Sequence, residues 1–538
     1  MPRYDRFELL PREPSVVLWG PPGAGKTTVG RLVASTLGRP FFDTDAQVAT
    51  QAGQSVEEIF RVEGEAAFRS RERDVVRACL AEPGAVVALG GGSLVERSLR
   101  EEVLGRAVVV RLVAPLATLR ERTASSRERP LLAGPSGHAA ALDSLITERA
   151  DAYRSGHLAV DASAAPEMIA EVITRRVRAG LVPLFVPPHA YGAFLADGDA
   201  AAALGAVLQA AEASSVHAVV DETVHSLFGS ELLEALPVRP RSVHLVGPGE
   251  RAKSFSVLDR VMGELLEAGV DRNSIVIALG GGATTDLAGL AAGLLARGVR
   301  WIAVPTTLLS MVDASVGGKT AINLGAIKNP VGLFHHPCAV LVDPTFTASE
   351  PERGFRAALA EQVKTALIGD AAAFEAVEAD PQRLLARDPT ALRDAVLRAL
   401  RVKASVVVAD PDERGVRAVL NLGHTVGHAI EADAAGNVSH GEAVAMGLEA
   451  ALELGVERGV TPPGVRDRVV RVLRSLGLPP LAPLAPGALS RLRFDKKRRG
   501  AAVQLVLLRE VGAAEIVSVS LDELQTSLRK LGHPSGLP

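Results

Sequence analysis

The stretch "SVVLWGPPGAGKTTVGRLVASTLG", residues 15–38, decides how the chain begins. Val16 to Trp19 are an apolar run of strand length, and Gly20 ends it. "GPPGAGKT" (Gly20–Thr27) then fits Gly-x-x-x-x-Gly-Lys-Thr in full, and "KTTVGRLVASTL" carries apolar residues at helical spacing up to Gly38. A glycine loop between a strand and a helix is the setting in which main-chain N–H groups and a helix N-terminus surround phosphates. Gly23, Gly25, Lys26, Thr27 and Thr28 are therefore the expected ATP contacts. Lys26 would neutralise the transferred phosphoryl group, and the Thr27 hydroxyl would reach Mg2+.

Outward from that loop the rhythm continues. "FFDTD", "AVVALGGG" and "AVVVRLV" read as strands and "SVEEIFRVEGEAAFRSRERDVVRACL" as one helix. This βαβ alternation predicts a parallel sheet flanked by helices. "RAGLVPLFVPPHAYG" places Pro183, Pro187 and Pro188 among extended apolar residues, and a boundary falls just before it. A second α/β run follows in "VHAVVDETV", "SVHLVGPGE", "SIVIALGGG" and "RWIAVPTTLL". Beyond Glu350 the spacing turns helical. The expected architecture is α/β in three parts: 1–178 around the P-loop, 179–350 as a second α/β part, and 351–538 as a mostly helical part.

The totals narrow the function. A chain of 538 residues has room for several domains. Its 59 Lys+Arg against 62 Asp+Glu leave a net charge of −3. That lacks the basic excess a nucleic-acid-coating surface needs. Two cysteines, Cys79 and Cys338, rule out a disulfide framework or a cysteine-built zinc site. The N-terminus has no apolar signal core, and no apolar run is long enough for a bilayer. The expectation is a cytoplasmic enzyme of small-molecule substrates, with neither nucleic acid nor membrane as partner.

Around the P-loop stand the groups for a phosphoryl acceptor. "FFDTD" offers Asp43 and Asp45 on one side of an extended chain. Arg69, the turn Gly90–Gly91–Gly92, Arg129 in "RERPLLAG" and Arg149 in "ERADAY" follow. Arginine forks clamp a carboxylate, and an aspartate orients a hydroxyl or accepts its proton. In order and spacing the set resembles shikimate kinase over residues 15 to about 175. The resemblance implies that Asp43 helps hold Mg2+ and Asp45 binds the shikimate hydroxyls. It puts Arg69 and Arg149 on the carboxylate, Gly90, Gly91 and Gly92 along the substrate, and Arg129 on a closing lid.

A second Gly-Lys-Thr occurs in "SVGGKTAINLGAIKNP" (315–330), but Asp313 stands where a P-loop needs glycine. The surrounding signals point instead to a dinucleotide and a metal. "ALGGGATTD" ends a strand in three glycines, allowing backbone to approach a pyrophosphate. "NLGHTVGHAIE" sets His424 and His428 one helical turn apart, "VSHGEAVAMG" adds His440, and "ALAEQVKTAL" supplies Glu361. Two histidines and a carboxylate are a common catalytic zinc set. Spacing alone leaves open whether His424 pairs with His428 or with His440.

From residue 185 to about 510 the chain resembles 3-dehydroquinate synthase. The carrying stretches are "GPGERAKS", "GGGATTDLAGLAAGLLARG", "VPTTLLSMVDASVGGKTAIN", "IKNPVGLFHHP", "NLGHTVGHAIE", "HGEAVAMG" and "FDKK". The resemblance implies zinc (or cobalt) on Glu361, His424 and His440, with His428 facing substrate. It implies NAD against Asp221, Glu250, Lys253, Gly281, Gly282, Asp286, Thr306, Thr307 and Lys328. Arg297, Asp313, Lys319, Asn329, Lys364, Lys403, Arg417, Asn421 and one of Lys496 or Lys497 would complete the substrate pocket. A homodimer through this half is also implied. The combined expectation is a fused enzyme carrying out two non-adjacent steps of aromatic precursor synthesis. The alternatives are a related sugar-phosphate cyclase in the second half, or a kinase half that senses nucleotide without turnover.

Overall fold

The computed structural model describes residues 7–124, 138–196, 198–325, 327–434, 436–492, 498–499 and 502–531. Five strands build the first sheet: β1 (Val16–Trp19), β2 (Phe41–Asp43), β3 (Val86–Ala88), β4 (Val108–Val113) and β5 (Leu158–Asp161). They pair in the order β2-β3-β1-β4-β5, every pair parallel. Each residue of β1 is wholly buried, as a strand covered by helices on both faces requires. The P-loop leaves the carboxyl end of β1, and its helix runs Lys26–Leu37 to a left-handed Gly38.

The stretch read as one long helix is two. Val56–Val62 ends at Glu63, and Gly64–Ala81 begins at Gly64, whose φ of +86° the continuing helix could not contain. Sequence periodicity does not register a break of a single residue.

The helix Pro166–Gly180 runs directly into β6 (Leu181–Val186), which turns back through a cis Pro187–Pro188 bond into β7 (His189–Leu195). The proline-rich stretch is thus a hairpin at the edge of the second sheet. That sheet adds β8 (Val216–Asp221), β9 (Ser242–Val246), β10 (Ile275–Gly280), β11 (Arg300–Pro305) and β14 (Ala339–Val342). Its order is β6-β7-β14-β11-β10-β8-β9, parallel apart from the β6–β7 pair. Between β11 and β14, β12 (Lys319–Leu324) and β13 (Ile327–Phe334) form a separate antiparallel ribbon. Lys319 therefore opens a strand, and the second Gly-Lys-Thr is no phosphate loop.

Helices dominate after Glu350: Glu352–Gly369, Pro389–Ala409, His424–Asp433 and His440–Glu457 carry the functional side chains. The "mostly helical" expectation overlooked a hairpin, β16 (Ala502–Glu510) with β17 (Ala513–Ser520), joined at its edge by the short β15 (Arg498–Arg499).

One apolar core crosses the sequence boundary. Val16, Leu18, Val110 and Ile173 of the first part belong to the same buried cluster as Leu204, Ile277 and Leu341 of the second. The two parts are packed as one body, so separating them would expose this core to water.

Candidate active sites

In the first site the P-loop helix starts from Gly25 at φ 87°, with no side chain capping it. Its first-turn N–H groups remain open to an anion. Lys26 Nζ donates to the carbonyls of Gly20 at 2.9 Å and Pro21 at 3.2 Å, which keeps it at the loop. Thr27 donates to Asp43 Oδ2 at 2.6 Å, so the two expected Mg2+ ligands touch.

Asp45 departs from the sequence reading. β2 stops at Asp43, whose Oδ1 accepts the N–H groups of Asp45 and Ala46 and caps the helix Thr44–Ala52. Asp45 therefore lies in a helical first turn, not two places along a strand. Capping satisfies donors that a continued strand would leave unpaired.

The acceptor residues converge on the glycine turn. A Cβ on Gly90 would lie 2.5 Å from Asp45 Oδ1 and 2.6 Å from Glu72 Oε1; one on Gly92 would lie 2.3 Å from Arg69 Nη2. Arg149 donates to the Gly91 carbonyl at 3.1 Å. Glu72, absent from the sequence reading, is buried and accepts from Arg69 at 2.6 Å and Ser93 at 2.6 Å. Tyr153 was also missed; its hydroxyl donates to Gly91 O at 2.6 Å. Burial, then the neighbouring charges of Glu72 and Asp43, push the Asp45 carboxyl up to about 6. Arg129 lies outside the described residues.

The second site has two walls. One is the carboxyl ends of adjacent parallel strands, where open α/β sheets bind nucleotides. Asp221 ends β8 and caps the next turn. Gly281 and Gly282 follow β10 and open a helix without a side-chain cap, and Thr306 and Thr307 follow β11. Buried Lys253 reaches Asp286 Oδ2 at 2.5 Å and also Asn329 Oδ1. Asn323 joins Glu250 at 2.7 Å and the Asn329 N–H at 3.0 Å. Expected dinucleotide and substrate contacts thus share one network.

Helices supply the facing wall. Glu361 is wholly buried, and its Oε1 lies 3.2 Å from His424 Nε2 and 3.1 Å from His440 Nε2. Their ligand atoms fall within 4.8 Å of one another, a set fit for one metal ion. The geometry favours His440 beside His424. His428 instead groups with Glu431 and His440. Glu431, also missed, accepts from His440 Nδ1 at 3.1 Å and Lys328 Nζ at 2.6 Å. It holds the ring from behind, as carboxylates behind metal-bound histidines do.

Next to the histidines, Lys364 pairs with Glu361, and Lys403 donates to Asp313 Oδ1 at 2.5 Å. Burial opposes ionisation of Asp313, but Lys403 and Lys364 hold its carboxyl down at about 2. Arg417 is buried and donates to the Gly317 carbonyl at 3.2 Å. Three other expected residues have surroundings of their own. Lys319 pairs with Glu413. Arg297 is exposed with a left-handed backbone, φ 60°. Asn421 lines a small cavity against the β16 strand. Lys496 and Lys497 lie outside the described residues.

A P-loop phosphotransferase fold packed on a nucleotide-crevice fold, with a carboxylate and two histidines at its centre, defines a two-part enzyme. Residues 22–178 match the shikimate kinase family model, and 243–357 and 358–498 match the N-terminal and C-terminal models of 3-dehydroquinate synthase. A 3-dehydroquinate synthase of Acidithiobacillus ferrooxidans is 41% identical over 327 residues, 59% of this chain and 90% of the relative. One from Halorhodospira halophila is 44% identical over 311 residues, 57% and 87%. The chain belongs to the 3-dehydroquinate synthase family, with a shikimate kinase domain fused ahead of it.

Among solved structures, ValA, the 2-epi-5-epi-valiolone synthase of Streptomyces hygroscopicus with NAD+ and Zn2+ bound, is similar with a TM-score of 0.57. It is 30% identical over 64% of this chain and 97% of its own. A 2-deoxy-scyllo-inosose synthase complexed with carbaglucose-6-phosphate, NAD+ and Co2+ has a TM-score of 0.60, 25% identity, and coverage of 65% and 99%. No described helix is long and apolar enough to cross a membrane.

Proposed function

We propose that one chain phosphorylates shikimate with ATP and also cyclises 3-deoxy-D-arabino-heptulosonate 7-phosphate to 3-dehydroquinate with release of phosphate. Each half rests on one observation. In the first, Asp45, Arg69 and Arg149 close on a single glycine turn beside an open P-loop helix. In the second, Glu361, His424 and His440 gather next to a buried lysine–aspartate cluster.

In the kinase half, Arg69 and Arg149 hold the acceptor's carboxylate. That turns a ring hydroxyl toward Asp45, whose raised pKa suits it to take the hydroxyl proton near neutral pH. The P-loop amides and Lys26 hold the phosphates in line, with Thr27 and Asp43 as the Mg2+ ligands.

In the synthase half, Glu361, His424 and His440 would hold Zn2+ or Co2+, and the crevice over β8, β10 and β11 would hold NAD. When bound, these groups supply Lewis acidity and a reversible hydride acceptor. The chain's own part is electrostatic. Lys364, Lys403 and Arg417 place buried positive charge where the substrate's phosphate and carboxylate must sit. Asp313 keeps the Lys403 ammonium fixed, and His428 stands exposed at the rim to contact substrate.

The two solved neighbours described above are named as other synthases, one of them complexed with carbaglucose-6-phosphate, so a different sugar phosphate is the competing reading for this half. The higher identities to 3-dehydroquinate synthases and the fused kinase support the reading given. A coupled assay on the full chain decides it. Each substrate should turn over, Lys26→Ala should abolish only the kinase, and His424→Ala only the synthase. Phosphate release from sedoheptulose 7-phosphate in place of the heptulosonate would refute the synthase assignment.

A further inference from the structure

Where the two halves meet, the chain leaves a cleft that neither proposed reaction uses. Its walls come from the segment ahead of β1, the kinase part, β6 and the helix Pro389–Ala409, and it encloses about 40 Å³. That is room for about three water-sized groups. Val108 and Leu397 contribute apolar lining, while Arg12, Arg39 and Arg401 line the same space and no carboxylate among the described residues does.

The guanidinium groups have donors to spare. Arg401 donates to Leu10 O at 2.6 Å, but its Nε is buried without a partner among the described residues. Arg12 makes no hydrogen bond or ion pair among them either. Arg39 bonds Pro14 O at 3.1 Å and otherwise reaches, among the described residues, only Glu13 at 3.4 Å, a side chain largely in water. Burial makes Arg401 less basic than usual; Asp370 works against that and Arg12 adds to it. Two like charges around a partly dry cleft leave a favourable place for negative charge between them.

We propose that this junction binds a compact oxyanion, phosphate or the phosphoryl end of a small metabolite. Guanidinium forks match tetrahedral oxyanions, and the apolar lining strengthens each charged contact. The volume fits such a group and excludes a nucleotide. Arg401 lies two residues ahead of Lys403 on one helix, and Arg12 sits on the segment leading into β1 and the P-loop. A bound anion would tie both active sites' supports together.

Crystals of the full chain soaked in arsenate, a phosphate-shaped anomalous scatterer, should show a peak within hydrogen-bond distance of Arg12 and Arg401. In solution, inorganic phosphate should raise the unfolding temperature of the full chain. Arg12→Gln and Arg401→Met should each remove part of that rise, with affinity at the cleft falling about tenfold per lost charged contact. Arg12→Gln breaks no hydrogen bond, so the test does not depend on a variant that fails to fold. Glycerol 3-phosphate run in parallel distinguishes the source: equal rises assign free phosphate, a larger one a phosphorylated metabolite. Arsenate confined to the P-loop and the Lys364–Lys403 pocket would overturn the proposal. So would a phosphate response unchanged in both variants.

Discussion

Asp45 and Asp313 are both aspartates in desolvated sites, yet they move in opposite directions. Asp45 faces Glu72 and Asp43, and its carboxyl rises to about 6. Asp313 faces Lys403 and Lys364, and its carboxyl falls to about 2. Burial raises both; the neighbouring charge decides the outcome. In the kinase site Lys26 and Arg69 pull the carboxyl down, but burial with Glu72 and Asp43 outweighs them and leaves a carboxylate basic enough to accept a proton. The synthase site surrounds its carboxylate with ammonium groups and turns it into a fixed counter-charge. On the function proposed, one site would move a proton and the other would hold charge in place.

The sharpest way to break that contrast is at the histidines. His424→Ala removes one of the two imidazoles beside Glu361. Lewis acidity worth several kcal/mol should be lost with the ion, so synthase turnover should fall by about 10³-fold or more. Kinase turnover, measured on the same preparation, should not change. Parallel loss of both would mean the site also supports the shared core.

Gly92→Ala tests the kinase side. Its Cβ would fall 2.3 Å from Arg69 Nη2, so Arg69 must swing away from Glu72. Losing one charge-assisted contact to the acceptor costs about 1.5–3 kcal/mol, so kcat/KM for shikimate should drop up to about 100-fold. The KM for ATP should hold. An equal rise in both KM values would place Arg69 outside the acceptor site.

Glu431→Gln probes support rather than contact. It weakens the acceptor behind His440, and metal affinity should fall about 10–100-fold, read by competition with a zinc chelator. Excess metal should restore turnover, which a folding defect would not permit.

How much of this was legible beforehand follows from which interactions are local. The P-loop, the triple glycines and the histidine one turn from its neighbour are short patterns, and each stands where its pattern implied. Glu361, far from the histidines in sequence, was readable as the carboxylate of a zinc set, but which histidine completed that set with His424 followed only from the family resemblance. Glu72, Tyr153 and Glu431 escaped because their meaning lies in long-range partners: Glu431 matters through Lys328, over a hundred positions away. Asp45 was misplaced because Asp-Thr-Asp suits both a strand end and a helix cap, and only the two N–H donors to Asp43 decide between them. The β16–β17 hairpin had a readable signal, two β-rich runs around Val511–Gly512, overshadowed by the helices before it. The core shared between the parts left no sequence mark at all, since Val16 and Ile277 are ordinary strand residues until the chain packs them together.

The smallest effect bears most directly on the contrast between the aspartates. If Asp45 takes the hydroxyl proton, only its ionised form works, so kinase kcat/KM should be flat at neutral pH and fall below about pH 6, reaching roughly a tenth of the plateau one unit lower. Asp313, with its carboxyl near 2, stays ionised throughout and contributes no such limb to the synthase. Glu72 raises the Asp45 pKa by like-charge repulsion. Glu72→Gln should therefore shift the kinase limb to lower pH, even as the loosened Arg69 lowers the plateau. A limb that stays fixed while the plateau drops would show that Asp45 does not set it. The two sites would then differ in layout but not in what their carboxylates do.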